Sequence, residues 1–432
     1  MMGKRLLVLY LLLSLSAGAL RAAVPENGAE GAVVIRAGRL VDVRTGKVLT
    51  HTSVLVRKGR IVAVGEDVRV PADAEVIDLG PATLLPGLID LHTHLTFNHR
   101  FFGYRGLGVS VPRQTLYGAV NARRVLQAGF TTVRNLGAAG YADVALRDAI
   151  NDGDIAGPRM LVSGPALGIT GGHCDNNLLP AEFNHRAAGV ADGPWAVRAK
   201  VREVVKYGAD VIKFCATGGV LSKGDEPGTT QYTLEEMKAI VEEAHKLGRR
   251  VAAHAHGTEG IQMAVRAGVD SIEHGTLIDQ EGIALMRQHG TYLVPTVYAG
   301  DYIVEQGAEA GIPDYGLRKM RGLIEGRDPA FRAAFPAGVK VAFGTDIGVF
   351  RHDLGGREFA RMVGLGLTRL EAIRSATVVA AEALGLESEI GTIEAGKRAD
   401  IIAVAGDPLE DIRTLEQVKF VMKGGRVWKN DF

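Results

Sequence analysis

Five short stretches of the sequence set an ionisable or metal-ligating side chain inside, or at the end of, an apolar run. "LIDLHTHL" closes on His92 and His94, "ADVIKFCATGG" carries Lys213, "VAAHAHG" closes on His254 and His256, "SIEHG" on His274, and "FGTDIG" on Asp346. His92 and His94 stand two apart, so on a strand they share a face. Each residue alone has a bland reading. An isolated His-x-His is more often surface or core than ligand, and an aspartate after a strand is commonly a cap or turn residue. Lys213 is harder to set aside, because a lone buried ammonium costs several kcal/mol of desolvation, or loses its proton, unless something pairs with it. Asp210 is close in sequence, but on a strand it points to the opposite face. Imidazoles with a carboxylate are the donor set that borderline divalent ions such as zinc prefer.

These residues act together only if the fold brings them together. Apolar, strand-like runs recur at Leu84–Leu91, Phe130–Leu136, Arg159–Leu167, Val211–Ala216, Val251–Ala255, Ser271–His274, Tyr292–Val297 and Val341–Phe343, with helical patterns between them. In Leu234–Leu247 the apolar residues fall on one face, Thr233 and Glu236 have capping-box spacing, and Gly248 stands just past the end. Thr368 and Glu371 repeat the box. Eight strand–helix units predict an α/β fold, a (β/α)8 TIM barrel, whose chemistry sits at the C-terminal ends of the strands. In that geometry all five stretches open into one mouth. A doubly wound open sheet is the structural alternative, and no Gly-rich phosphate fingerprint behind the first strand supports it.

Both ends of the chain have a different texture. Residues 32–85 are dense in β-branched residues, with turns expected at Gly38, Thr45-Gly46 and Lys58-Gly59, and the same texture returns in "ADIIAVAG" and "VKFVMKGGRVWKN". The expected organisation is a signal peptide at 1–23, a small β-sandwich built from 24–85 and 385–432, and the barrel at 86–384. In the leader, Lys4 and Arg5 precede an apolar core at Leu6–Leu15 and small residues follow, which predicts export and cleavage to a secreted or periplasmic protein. The apolar core is short for a membrane span of ~20 residues. Cleavage removes Lys4, Arg5 and Arg21 and no acid, taking the formal charge from +1 to −2. That balance argues against nucleic acid or an anionic membrane surface as a partner. With only Cys174 and Cys215, the chain is no disulfide scaffold, and two free, largely buried thiols are expected.

The series "LLPGLIDLHTHL … IKFCATGG … VAAHAHG … IEHGT … FGTDIG … EIGTIEAGKRADIIAVAGDP" resembles the amidohydrolase superfamily over nearly the whole mature chain. More narrowly, it is similar to the metal-dependent Xaa-Pro dipeptidases (prolidase-like), related carboxypeptidases acting on acylated amino acids, and ochratoxin amidases. The resemblance implies two divalent metal ions, with zinc the favoured ion. His92 and His94 match the pair holding the more buried ion, completed by Asp346. His254 and His274 match the ligands of the more exposed ion, and His256 is left as a neighbour that is structural or substrate-facing. Lys213 matches the lysine that reacts with CO2 to give a carbamate bridging both ions. Burial makes its neutral amine available for that reaction, and the carbamate's two oxygens suit cations ~3.5–4 Å apart.

The implied reaction is hydrolysis of a dipeptide or N-acyl amino acid amide, releasing the C-terminal amino acid, with Asp346 moving the proton. In the family, side chains from the strand-end loops grip the substrate. His173 in "GITGGHCDNN" and Tyr232 in "GDEPGTTQYT" fall at such positions, with His256 beside them and Arg100 and Arg105 as further cations in the first loop. The long segment at about 298–336 is large enough to form a lid, and Cys174 reads as structural. A homo-oligomer is implied by the resemblance. A cyclic-amide hydrolase (imidazolonepropionase-like) or a metal-dependent deaminase on the same barrel is the competing enzyme class. Lys213 weighs against it, because a one-metal site needs no bridge. A binding protein that kept the fold and lost its metals would not be expected to keep every ligand.

Overall fold

The computed structural model describes residues 31–432, so the expected signal peptide lies outside the described residues. The chain opens with β1 (Ala32–Val41), β2 (Val48–Arg57), β3 (Arg60–Gly65), β4 (Glu75–Asp78) and β5 (Thr83–Pro86). β2 and β3 form a hairpin whose two turn residues, Lys58 and Gly59, have φ of 49° and 73°. Two positive φ values give the turn whose twist matches its flanking strands. Gly46 makes the turn expected of it, at φ 79°. Gly38 does not: it lies inside β1, where a Cβ would stand 3.0 Å from the Cα of Pro81. Glycine there serves close backbone approach rather than a turn.

The run at Leu84–Leu91 divides at Gly87. β5 stays in the terminal sheet, and β6 (Leu88–Thr93) is the first strand of the barrel. Then follow β7 (Phe130–Asn135), β8 (Arg159–Val162), β9 (Val211–Cys215), β10 (Arg250–Ala255), β11 (Ser271–His274), β12 (Tyr292–Val294) and β13 (Lys340–Val341). β6–β7–β8 and β9 through β13 pair in parallel. Backbone hydrogen bonds close both seams. Leu167 N donates to Lys213 O at 2.8 Å and Cys215 N to Leu167 O at 2.9 Å. On the other side Leu91 N reaches Phe343 O at 2.9 Å, and Asp346 N reaches His92 O at 2.8 Å. The last two bonds fix Asp346 beside the histidine pair of β6.

The helix Leu234–Lys246 has the full capping box of Thr233 and Glu236, and Arg369–Ser375 has that of Thr368 and Glu371. The segment expected as a lid is two packed helices, Val297–Ala310 and Asp314–Ala334, which form one wall of the cavity over the barrel. The chain ends in β14 (Ile401–Val404), β15 (Phe420–Lys423) and β16 (Arg426–Asn430). β14 pairs with β5, so the two termini share one sheet, with a core that includes Ile35, Val54, Leu84, Ile401 and Phe420. The two cysteines are not free thiols: Cys174 and Cys215 form a disulfide with Cα atoms 6.1 Å apart. Leu167 pairs with β9, and Gly168 beside it lies against Cys174, which brings the Cys174 loop onto Cys215, a proximity that 41 residues of separation hide. No helix among the described residues is long and apolar enough to cross a membrane.

Candidate active site

The strand ends bring six of the expected residues into one place. Asp346 Oδ1 lies 3.2 Å from His94 Nε2 and 3.5 Å from His92 Nε2. Ligand-capable atoms of His92, His274 and Asp346 lie within 4.8 Å of one another, and so do those of His254, His256 and His274. The two groups share His274, so they are adjacent. Two of these residues hold left-handed backbone conformations, His274 at φ 71° and Asp346 at φ 61°, as does Thr296 at φ 46°. Such positions cost of order 1–3 kcal/mol in non-glycine residues and persist where the surrounding structure over-determines them.

Neighbouring groups fix which ring atoms face inward. Burial alone would raise the Glu273 carboxyl, but the charge of Arg134 and the hydrogen bond from His92 hold it down at about 2. An ionised Glu273 can only accept, so His92 Nδ1, at 2.8 Å, donates to it and leaves the Nε2 lone pair toward Asp346. His254 Nε2 lies 3.1 Å from the carbonyl of Gly218, which likewise makes it the donor and frees Nδ1. His256 Nδ1 meets Thr276 Oγ1 and His274 Nδ1 meets Thr296 Oγ1, each at 2.7 Å. Burial keeps the rings neutral, with His92 pushed down to about 4 and His256 to about 3, and His254 and His274 also lowered by burial. Neutral imidazoles, of which His92 and His254 are held with a lone pair inward, and one carboxylate fit divalent cations.

Lys213 is 4% exposed, and among the described residues its ammonium has no hydrogen bond or ion pair. Asp210 indeed turns away, its Oδ2 lying 2.6 Å from Arg147 Nη1. Burial brings the Lys213 ammonium down to about 8, against the pull of Glu273 and Asp346. Its charge depresses His92, His254, His256 and His274, which places it among them. An amine so placed is available as a nucleophile toward CO2.

His173 is also in the site, its ring stacked on that of His254 with centroids 4.2 Å apart, and burial pushes it down to about 4. His256 is within the ligand cluster itself and not only at its margin. Tyr232 is a correction. It is 1% exposed, its ring packs in the core against Phe214, its hydroxyl donates to Ala191 O at 3.0 Å, and it does not line the cavity. The chain turns at Tyr232 into the capped helix, and the ring goes under the loop rather than over it. Arg100 and Arg105 are exposed and do not line the cavity either.

Arg134 and Glu273 are functional residues the sequence reading passes over. Arg134, 2% exposed, donates to Leu91 O at 2.7 Å, Ser271 Oγ at 3.1 Å and Glu273 Oε1 at 2.7 Å, tying β6, β7 and β11 together under the site. The signal was the one that singles out Lys213, a charge inside an apolar strand. A second support is Glu358, fully buried, which accepts from Val297 N and Tyr298 N at 2.7 Å each and so holds the chain just after Thr296.

Over these groups lies a cavity of about 790 Å³, walled on the first-loop side by Phe97, Phe101, Phe102, Leu107, Val109 and Tyr117. Phe97 stacks on His94 at 4.8 Å. A volume of that order suits a drug-sized organic ligand. The arrangement sets a cluster of ligand-capable side chains beside an apolar wall, and the model of the amidohydrolase family matches residues 83–428. The chain belongs to the amidohydrolase family. It is 35% identical over 422 residues to ochratoxinase of Aspergillus niger, covering 92% of this chain and 86% of that protein. The crystal structure of a Xaa-Pro dipeptidase with bound methionine in the active site superimposes with TM-score 0.87 at 38% identity, covering 92% of this chain and all of that one. A prolidase complexed with N-methylphosphonate-L-proline matches with TM-score 0.85 at 34% identity, over 93% of this chain and 100% of that one. This member of the family is a hydrolase of amide or peptide bonds, built as a TIM barrel with a β-sandwich.

Proposed function

We propose that the protein is a secreted or periplasmic binuclear metallohydrolase that cleaves dipeptides or N-acyl amino acids and releases the C-terminal amino acid. The observation that carries this is the unpaired, buried Lys213 among two adjoining groups of ligand-capable side chains. His92, His94 and Asp346 would hold one ion, His254 and His274 the other, with the Lys213 carbamate between them. Two such ions, most favourably zinc, would supply an activated water and a polarised carbonyl. Asp346 is lowered from the ordinary carboxylate value: burial raises it, and the hydrogen bond from His94 with the charges of His92 and His94 outweighs that. It accepts the proton of the attacking water and returns it to the departing nitrogen, so that one C–N bond is exchanged for one C–O bond. His173 and His256 face the bound substrate.

An anionic substrate is favoured by the cavity's cations. Arg186 is paired with Asp192 and Arg327 with Asp301. Lys223 lines the cavity 3.3 Å from Tyr104 Oη and has no carboxylate partner among the described residues. It is available to the substrate's free carboxylate. Ochratoxin-like amides, with a bulky aromatic acyl group, also fit the phenylalanine wall. The disulfide agrees with an oxidising compartment. The test is a screen of Xaa-Yaa dipeptides and N-acyl amino acids with the zinc-loaded protein, varying the C-terminal residue. Release of the free amino acid is expected, and cleavage of hydantoins or imidazolones instead would replace this function with cyclic-amide hydrolysis.

A further inference from the structure

One line of polar groups lies beside the ligand-capable residues without belonging to them. His173 Nδ1 is 2.8 Å from Ser222 Oγ, and Ser222 Oγ is 2.7 Å from Asp225 Oδ1. Lys319 Nζ donates to Asp225 Oδ1 at 2.9 Å and to the carbonyls of Gly219 and Ser222 at 3.0 and 2.8 Å. The Lys319 and Asp225 side chains are 5% and 6% exposed. Paired with an ammonium, Asp225 is a carboxylate and can only accept. Ser222 has one proton, and its two acceptors, Asp225 Oδ1 and Gly219 O at 3.2 Å, both lie away from His173. Toward His173 the hydroxyl oxygen can therefore only accept, which puts the ring proton on Nδ1. Lys319 neutralises Asp225, so no net charge in the line favours an imidazolium.

The ring has one edge left for the cavity. A Cβ at Gly219 would come within 2.1 Å of His173 Nδ1, 2.2 Å of Cε1 and 2.5 Å of Cγ, so the ring lies directly against that glycine. Nδ1 is occupied by Ser222, and Nε2 is the polar atom that remains for a ligand beside His254.

We propose that Ser222, Asp225 and Lys319 are positioning residues that hold His173 as a hydrogen-bond acceptor through Nε2, and that this acceptor selects secondary amides, which carry an N–H beside the cleaved carbonyl, over tertiary amides such as those of proline. This rests on the proposed amide hydrolysis and narrows its substrate class. A secondary amide gives Nε2 a donor beside His254, whereas a tertiary amide leaves it unpaired. One unpaired buried acceptor corresponds to roughly a tenfold to hundredfold difference in kcat/KM.

The test compares an N-acyl phenylalanine with its N-methyl amide counterpart, which keeps the same acyl group and carboxylate. The zinc-loaded protein should prefer the N–H substrate by at least about tenfold. Ser222→Ala should bring the two within about threefold by lowering kcat/KM only for the N–H substrate, and Ser222→Thr should restore the preference. Histidine-selective 15N NMR, with His173 assigned by its loss in His173→Gln, should show the Nδ1–H form in the parent and a change of tautomer in Ser222→Ala, with melting curves as the check on folding. Equal or faster cleavage of the N-methyl amide overturns the selection, and an Nε2–H ring in the parent overturns the positioning line. If neither amide is cleaved, the amide function itself falls and the selection with it, while the spectrum still decides the positioning line.

Discussion

Glu273→Ala should damage stability and metal binding together, by amounts that follow from its contacts. The carboxylate is fully buried between Arg134, 2.7 Å away, and His92 Nδ1, 2.8 Å away. Truncation leaves the Arg134 guanidinium buried beside Ser271 and Leu91 O with no counter-charge, which costs about 3–5 kcal/mol. At roughly 2 °C per kcal/mol for a domain of this size, the melting temperature should fall by about 6–10 °C. His92 at the same time loses the acceptor that fixes its tautomer, and loss of such a supporting partner typically weakens a metal site by about 10–100-fold. The assay is a thermal melt paired with zinc content after dialysis against graded chelator. Glu273→Gln keeps an oxygen for His92 but no charge for Arg134, so it should lie between the parent and Glu273→Ala in both measurements. A Glu273→Ala protein with parental melting temperature and parental zinc retention would refute the reasoning that Arg134 and Glu273 hold His92 in place.

Three further outcomes follow from the same geometry. Asp346→Asn should retain metal and lose turnover by several orders of magnitude, and near-normal kcat in that variant would remove the proton-moving role. Lys213→Ala should lose metal and activity together, with partial rescue by added short carboxylates such as formate or acetate. Tyr232→Phe should leave kcat and KM unchanged while lowering stability by about 1–3 kcal/mol, because the buried Ala191 carbonyl loses its donor. A rise in KM there would restore a substrate-binding role.

Much of the architecture was legible because its signals are local. All eight barrel strands appear as apolar runs, and both capping boxes and the β2–β3 turn follow from residues three or fewer positions apart. The metal-ligating candidates were legible because a charge or an imidazole at the end of an apolar run stands out against its surroundings. What stayed hidden depends on which segments meet in space. Arg134 and Glu273 bear the same signal as Lys213, but their pairing requires knowing that β6, β7 and β11 converge at the barrel floor. Tyr232 falls at a substrate-like position in sequence, and only the path of the loop shows its ring buried against Phe214. Likewise the disulfide joins a loop to the end of β9, two places brought together by the pairing of Leu167 with that strand. The left-handed backbone at His274 and Asp346 carries only a weak sequence mark, since His and Asp are enriched there but far less committed to it than glycine.

The central claim is a carbamate-bridged pair of ions on Lys213, and metal stoichiometry with carbamate detection tests it most directly. Protein reconstituted with zinc in 13C-labelled bicarbonate should hold two metal equivalents per chain and show a carbamate 13C resonance that is absent from Lys213→Ala. One equivalent or none per chain, with no carbamate signal, would contradict the account.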